Sequence, residues 1–242
     1  MRTILTVLFI ALFLIFSIPI LIIEYIIGKF NPLVKIKSSQ VIVKFIFRVI
    51  LFISGVKYTV KGKNNVPTDL DSGLLYVSNH RSYFDIPVFY VSAPTLTGFI
   101  AKKEIAKIPL LKNWMKNINC LFLDRTNIRE GLKTILEGIV LIKNGHSMYI
   151  APEGTRSQSK EMLPFKEGSF KMAEKSGCPI IPVCITGTDD VLENHSPWIK
   201  KTHVIIEYCK PIYIKELSKD NRKFIGSYVQ HLMKETLDSH EI

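Results

Sequence analysis

The chain begins with two apolar segments. Residues 4–27 are almost wholly apolar and are interrupted mainly by Ser17, Pro19 and Glu24. As one helix rising 1.5 Å per residue, this segment would extend roughly 36 Å, which is enough to cross the hydrocarbon core of a bilayer. Its length, and the lack of a small-x-small cleavage site after it, favour a retained anchor over a signal peptide, with a buried core helix as the alternative.

The second segment, residues 41–56, carries Lys44 and Arg48 four positions apart, on one narrow stripe of a helix. Such a helix is typical of a position in the headgroup region, where its cations meet anionic lipid. Together the two segments form either a transmembrane helix followed by an interfacial helix, or a re-entrant hairpin held in one leaflet. The sequence leaves both arrangements open.

The charge of the chain narrows the choice of partner. The formal net charge is +11, which is typical of proteins that bind nucleic acid, an anionic membrane or a phosphorylated substrate. The apolar N-terminus favours the last two, so membrane phospholipid is an expected partner and nucleic acid is not. Lys29, Lys35 and Lys37 follow the first segment and place the rest of the chain on the cytoplasmic side of the cytoplasmic membrane.

Beyond Val56 short apolar runs alternate with helical periods. The runs predict strands over residues 56–60, 74–77, 97–101, 120–123, 148–151, 180–185 and 204–208. Helices are predicted from Ser82 through Tyr90, over 128–142 and over 220–237. Strands that alternate with helices predict an α/β sheet. The sequence therefore divides into an N-terminal anchor, residues 1–56, and one domain, residues 57–242.

Polar side chains follow the apolar run 74–77 abruptly. His80 comes soon after this run and Asp85 stands five residues later, so a helix that begins at Ser82 would bring the imidazole and the carboxylate together. A carboxylate that accepts from one ring nitrogen fixes the tautomer and leaves the other nitrogen free to take a proton. A capping histidine beside a solvated Asp85 is the alternative, and these two residues alone do not decide between them.

A second polar loop follows the run 148–151. Its sequence, Pro152-Glu153-Gly154-Thr155-Arg156-Ser157, combines a glycine, two hydroxyls and a guanidinium, which together suit a phosphate group. Arg125 and either Lys102 or Lys103, each just after another predicted strand, are candidate further cations. Each of these residues, taken singly, is also compatible with a solvated side chain or a local ion pair.

These motifs together resemble those of the glycerolipid acyltransferase superfamily. The stretch from Asn79 to Asp85 resembles its His-x4-Asp motif, and residues 152–156 match its Pro-Glu-Gly-Thr-Arg motif. Three further blocks stand in the order of that superfamily: Phe122-Leu123-Asp124-Arg125, Phe165-Lys166-Glu167-Gly168 and Ile181-Pro182-Val183. Ala151 departs from the phenylalanine that the superfamily often has there. The match covers residues 56–187 and is most similar to bacterial 1-acyl-sn-glycerol-3-phosphate acyltransferases.

The resemblance implies a mixed sheet flanked by helices, and an acyl transfer without metal, bound cofactor or covalent intermediate. His80 would act as the base and Asp85 would orient it. The implied acceptor-phosphate site consists of Arg125, Glu153, Gly154, Thr155 and Arg156, with Lys102 as an additional cation. The implied reaction moves a fatty acyl group from acyl-CoA or acyl-carrier protein to the sn-2 hydroxyl of 1-acylglycerol 3-phosphate (lysophosphatidate), which gives phosphatidic acid.

Two other functions stay open at this point: acylation of glycerol 3-phosphate or another lysolipid, and non-catalytic lipid binding at a membrane, which would not need His80 and Asp85. A serine hydrolase is disfavoured, because the sequence has no Gly-x-Ser-x-Gly and Ser82 is too close to His80 for a triad. The cysteines form no Cys-x-x-Cys pair and predict buried, reduced thiols: Cys120, Cys178, Cys184 and Cys209.

Overall fold

A seven-stranded sheet forms the centre of the computed structural model, which describes residues 1–240, so the last two residues of the predicted 57–242 domain lie outside it. The strands are β1 (Lys57–Lys61), β2 (Leu75–Ser78), β3 (Thr97–Lys102), β4 (Leu121–Leu123), β5 (Ser147–Ile150), β6 (Ile180–Thr186) and β7 (His203–Tyr208). Their order across the sheet is β1-β7-β6-β2-β5-β3-β4. Only β6 and β7 pair antiparallel among these strands, so the predicted mixed sheet is confirmed.

Helices cover both faces of this sheet, as predicted. Within the described residues they are α1 (Arg2–Phe16), α2 (Ile18–Phe30), α3 (Pro32–Ser54), α4 (Asp85–Ser92), α5 (Leu111–Asn117), α6 (Ile128–Lys143), α7 (Lys171–Ser176), α8 (Lys219–Lys223) and α9 (Ile225–Ser239). Tyr76 of β2 packs with α3, α4 and α5 on one face, whereas Leu75 and Val77 pack with α6, α7 and α9 on the other. This alternation explains why β2 is apolar at its first three positions.

Several predicted element boundaries are wrong. The helix after β2 begins at Asp85 and not at Ser82, because residues 82–84 form a turn. The C-terminal helix is broken at Phe224, and its first part is capped by Ser218, whose hydroxyl accepts from Asn221 N. The strand predicted as buried over 120–123 is β4, which is half-buried and lies at the edge of the sheet. Edge position is a tertiary property that an apolar run does not reveal.

The first apolar segment is not one straight helix. It breaks at Ser17 between α1 and α2, which are bent by 50° relative to each other. Pro19 lies in the first turn of α2, and proline suits a helix start because it has no N–H and clashes with the carbonyl four residues earlier. Nowhere in residues 1–240 is a single helix long and apolar enough to span a membrane, and α1 with α2 reaches that length and composition only as a bent pair.

The side of α1 and α2 that packs on the rest of the protein combines buried polar residues with the partly buried Phe9, Phe13, Leu14 and Leu21. The buried residues are Thr6 in α1, Ser17 between the two helices and Glu24 in α2. Their hydroxyl or carboxylate groups bond Ser54 (3.2 Å), Trp114 Nε1 (2.9 Å) and Ser38 (2.8 Å), respectively. The outward side carries large exposed apolar side chains, among them Ile4, Val7, Phe16, Ile22, Ile23 and Phe30. The outward side is therefore far more apolar than that of a usual surface helix.

Helix α3 shares the core of the sheet. Its residues Val43, Ile50 and Leu51 are buried with the sheet and α4 in one apolar cluster. Lys44, which was expected to face lipid headgroups, donates from Nζ to the carbonyl of Ala93 at 2.7 Å instead. The core thus continues across residue 56, and a separate anchoring role for residues 1–56 stays a prediction.

We expect Leu51→Ala to lower the free energy of unfolding by about 2–5 kcal/mol, because it leaves a cavity between α3 and the sheet. The neighbouring Phe52 is 84% exposed, so Phe52→Ala is a matched control expected to change that free energy by less than about 0.5 kcal/mol. Denaturant unfolding of the detergent-solubilised protein measures both. Equal effects of the two substitutions would contradict the packing of α3 on the sheet.

Candidate active site

The loops that follow the parallel strands meet at one edge of the sheet. β2 pairs parallel with β5 and β6, and β3 pairs parallel with β5 and β4, so all five strands point their carboxyl ends the same way. Ligands of α/β sheets bind beyond these ends. The sequence placed all its candidate residues directly after these strands, and the topology brings them to a common edge.

His80 is held in place by the residue before it. Asn79 is 1% exposed, and its side-chain amide bonds both backbone groups of Ile185 on β6, with Nδ2 donating to the carbonyl at 2.8 Å and Oδ1 accepting from the N–H at 2.9 Å. This pairing continues the contact between β2 and β6 for one residue beyond the strand. It fixes the backbone from which the imidazole projects.

The predicted contact between His80 and Asp85 is present. His80 Nδ1 lies 2.8 Å from Asp85 Oδ2, and the carboxylate is fully buried whereas the imidazole is 22% exposed. With the proton on Nδ1, the ring donates to Asp85 and keeps the lone pair of Nε2, which makes no hydrogen bond within the described chain. This is the arrangement of a general base and the carboxylate that orients it.

Three further donors converge on the Asp85 carboxylate. Oδ2 also accepts from the N–H groups of Arg81 (2.9 Å) and Ser82 (3.0 Å), and Oδ1 accepts from the hydroxyl of Thr188 at 2.5 Å. Thr188 is fully buried and comes just after β6. Together with His80 these groups fix the carboxylate from every side, so the direction in which it holds the imidazole is set by the fold.

Ser82 has the properties of a structural residue. Its side chain is fully buried, and its hydroxyl accepts from Phe84 N at 3.0 Å within the turn before α4. A nucleophilic serine needs access to the substrate and a hydrogen bond to the base. The geometry therefore agrees with the sequence in disfavouring a serine hydrolase.

Glu153 joins the second polar loop to the first. Its carboxylate is buried and accepts from His80 N at 2.7 Å and from Leu163 N at 2.7 Å. Burial raises the pKa of this carboxyl above its ordinary value, and the two amide donors oppose that shift. Ser157 N also donates to His80 O at 2.8 Å. The Glu153 side chain thus holds the loop against the backbone of His80, and the neighbouring residues of the loop are available to a ligand.

Cationic groups gather around Gly154. Its φ of +77° is in the left-handed region, so the backbone favours glycine there, and the position of its missing Cβ lies 2.7 Å from Lys166 Nζ. Arg125 NH1 donates to the Gly154 carbonyl. Arg156 lies in the same loop, with its Cζ 3.8 Å from the centroid of the Tyr83 ring and its NH1 2.7 Å from Glu193 Oε1. These cations make the loop a suitable site for an anion.

Lys102 at the end of β3 and Lys103 directly after it are both exposed and have acidic partners. Lys102 Nζ lies 3.6 Å from Glu104, whereas Lys103 bonds Asp124 and thereby holds the pKa of Asp124 below its usual range. Lys102 therefore has the looser contact, and its assignment as an additional cation stays a prediction. In residues 1–240 no group of three or more His, Cys, Asp and Glu side chains is placed to hold a metal ion.

Comparison with known proteins places the chain in a family. A model of the family described as Acyltransferase matches residues 57–186, more than half of the chain.

The chain belongs to the acyltransferase family.

Relatives of this acyltransferase carry one name. The 1-acyl-sn-glycerol-3-phosphate acyltransferase of Escherichia coli K12 is 31% identical over 179 residues, which are 71% of this chain and 70% of that protein. The yeast protein of the same name is 29% identical over 80% of this chain and 63% of its own length. A chloroplastic Brassica napus relative, BAT2, is 34% identical over 65% of this chain and 45% of its own. The alignment thus spans less than two thirds of the yeast and plant relatives.

A solved structure extends this likeness to the whole acyltransferase chain. The crystal structure of the 1-acyl-sn-glycerophosphate (LPA) acyltransferase PlsC from Thermotoga maritima superposes with a TM-score of 0.73 at 26% sequence identity. The superposition covers 100% of this chain and 98% of the other, so it includes the N-terminal helices as well as the sheet.

Four residues of the site were missed in the sequence. They are Thr188, Asp189 and Glu193 after β6, and Lys166 beside Gly154. A usable signal existed for Thr188 and Asp189, because Gly187-Thr188-Asp189-Asp190 is a polar run directly after a strand, as in the other loops. Lys166 belongs to the Phe165-Lys166-Glu167-Gly168 block seen in the sequence, but its position beside Gly154 arises only from the folded chain.

We expect Thr188→Val to impair the acyltransferase in a way that a lost packing contact would not. Valine keeps the shape of the side chain but removes the hydroxyl that donates to Asp85 Oδ1, so the carboxylate orients His80 less well. A hydrogen bond to a charged group contributes roughly 1.5 kcal/mol, so kcat should fall about tenfold while KM stays within about twofold. Thr186→Val is the control, because the Thr186 hydroxyl bonds His240 and not Asp85. An unchanged kcat would contradict a positioning role for Thr188.

Proposed function

We propose that this acyltransferase moves a fatty acyl group from an acyl-CoA or acyl-carrier-protein thioester to the sn-2 hydroxyl of 1-acylglycerol 3-phosphate, giving phosphatidic acid. The observation that carries the proposal is the His80–Asp85 pair at 2.8 Å beside a loop that gathers Arg125, Arg156 and Lys166 around Gly154. Support comes from the names of the bacterial and eukaryotic relatives.

In the proposed reaction His80 Nε2 takes the proton of the acceptor hydroxyl while its oxygen attacks the thioester carbonyl carbon. The tetrahedral intermediate then collapses with cleavage of the carbon–sulfur bond, and the imidazolium returns the proton to the leaving thiolate. Asp85 holds the ring in one orientation and stabilises its positive charge between these steps. The products are an ester and a free thiol.

The acceptor phosphate is proposed to bind the loop after β5. Arg125 and Arg156 supply charge-assisted hydrogen bonds, and the backbone around Gly154 and Thr155 is open to close approach because Gly154 has no Cβ. Glu153 contributes by holding this loop against the backbone of His80. The hydroxyl to be acylated then lies between the phosphate site and the imidazole.

The lysolipid is favoured over glycerol 3-phosphate by the place of the apolar helices. Thr6 of α1 bonds Ser54, which lies just before β1. The start of β1 pairs with the start of β7, and the start of β7 pairs with the carboxyl end of β6. The beginning of α1 therefore lies beside the edge that carries His80. An acceptor with an acyl chain gains from apolar surface beside the site, whereas soluble glycerol 3-phosphate does not.

An acceptor panel tests the reaction. With purified protein and one acyl-CoA, we expect lysophosphatidate to be acylated faster than glycerol 3-phosphate or lysophosphatidylcholine. His80→Ala should lower kcat about 10³-fold, which is ordinary for removal of a general base. The control is His231→Ala, whose side chain is 72% exposed on α9. A preference for either other acceptor would contradict the acceptor assignment, and wild-type rates in His80→Ala would contradict His80 as the base. Lipid binding without acylation of any acceptor by the wild type would favour non-catalytic lipid binding.

We also propose that α1 and α2 attach the enzyme to the cytoplasmic membrane, with the sheet facing the cytoplasm. The double variant Phe16→Glu, Ile23→Glu changes two outward side chains that are 73% and 55% exposed, and should abolish flotation with phosphatidylglycerol-containing vesicles. The control is Ile128→Glu, Leu136→Glu on α6, two positions that are 91% and 52% exposed, which should still float. Flotation of both double variants would rule out attachment through α1 and α2.

A further inference from the structure

The connection between β6 and β7, residues 187–202, covers the active-site edge. It lies beyond the region matched by the family model, which ends at residue 186. Three of its side chains contact the loops described above: Thr188 bonds Asp85, Asp189 pairs with Arg81 at 2.5 Å, and Glu193 pairs with Arg156. We call residues 187–202 the covering loop.

Glu193 holds Arg156 from one side. A single carboxylate oxygen, Oε1, accepts from Arg156 NH1 at 2.7 Å and from the backbone N–H of Tyr83 at 2.9 Å. The guanidinium also lies on the Tyr83 ring, 3.8 Å from its centroid. The carboxylate therefore fixes the direction of the guanidinium, and the ring fixes the plane in which it lies. Tyr83, which takes part in both contacts, stands between His80 and Asp85 in the sequence.

The Glu193–Arg156 contact, the clamp, leaves most N–H donors of the guanidinium available to a ligand. Arginine has five N–H donors, and Glu193 takes up one of them, so the fork needed for two parallel bonds to phosphate oxygens stays available. The Arg156 side chain is 34% exposed, and Glu193 is 20% exposed. A flexible arginine would have to lose its rotamer freedom when phosphate binds, whereas a clamped one has lost it already.

The other oxygen of Glu193 argues against a purely stabilising ion pair. Oε2 is buried and has no hydrogen-bond partner within the described chain. A buried acceptor without a donor costs free energy, so this geometry is a poor choice for stability alone. A contact that is kept at such a cost beside a reactive pair points to a role in function.

We infer that Glu193 is a positioning residue for the acceptor phosphate, which it serves by holding Arg156 in its binding orientation. The inference rests on the proposed function, since it names a further residue of the same site. A glutamate carboxylate offers a phosphate no hydrogen-bond donor, so the inferred contribution of Glu193 passes through Arg156. It connects three segments: the covering loop, the Pro152–Ser157 loop and the turn that follows His80.

The test compares two substitutions of Glu193. Glu193→Ala removes the clamp and should raise KM for lysophosphatidate about tenfold, with changes of less than about twofold in kcat and in KM for the acyl-CoA. Glu193→Gln keeps an oxygen that accepts from Arg156 and Tyr83, so it should raise the acceptor KM threefold at most. Equal increases in the two variants would overturn positioning in favour of an effect of charge, and no increase in either would overturn the inference outright.

A second arm shows whether the effect passes through Arg156. In the Arg156→Ala background, Glu193→Ala should leave the acceptor KM where Arg156→Ala alone has set it. An additional tenfold increase there would contradict the inference. The control is His195→Ala, because His195 is exposed in the same loop and its side chain makes no hydrogen bond in residues 1–240.

Direct binding separates this inference from the proposed function. The Kd of glycerol 3-phosphate, which carries the same phosphate, is measured by titration calorimetry for the wild type and both Glu193 variants. Weaker binding in Glu193→Ala supports the inference even if lysophosphatidate is not turned over, and that lack of turnover would contradict only the proposed function. An unchanged Kd would overturn the inference even if lysophosphatidate is the acceptor.

Discussion

The buried carboxylate of Asp85 is the constraint on which the rest of the site depends. A charge with no exposure is tolerated only where donors surround it, and here they come from two loops that are about 100 residues apart in the sequence. The amides of Arg81 and Ser82 shape the turn after β2, and Thr188 draws the covering loop onto it. The orientation of His80 is thus a consequence of how the carboxylate is satisfied.

Acidic side chains hold this site together, and basic ones are left to meet the ligand. Glu153 repeats the logic of Asp85 from the neighbouring strand, because it too is buried and accepts backbone amides, one of them from His80. Glu193 does the same for Arg156 and the Tyr83 amide. Each carboxylate therefore joins two loops, and the imidazole and guanidinium groups take their directions from these joints.

Local patterns were sufficient for much of the fold and for part of the site. Apolar runs located the strands and a helical period located α6. The spacing of His80 and Asp85 favoured their contact, although the helix expected from Ser82 begins at Asp85. Contacts across the sheet were not accessible in this way. Nothing near Glu193 in sequence indicates that Arg156 is its partner, and nothing near Lys44 indicates that it bonds Ala93 and not lipid. The break at Ser17 was signalled by Pro19, but the apolar length of the segment outweighed it.

The buried and exposed side chains of α1 and α2 indicate which medium suits these helices. Thr6, Ser17 and Glu24 are buried in residues 1–30, and beside them Phe9, Phe13, Leu14 and Leu21 pack on the core. The exposed side chains are mostly isoleucine, leucine and phenylalanine. A lipid environment favours apolar surface outside and bonded polar groups inside, since hydrocarbon offers polar groups no partner. The proposed attachment to a membrane is therefore supported by where the polar and apolar side chains lie, which composition alone does not contain.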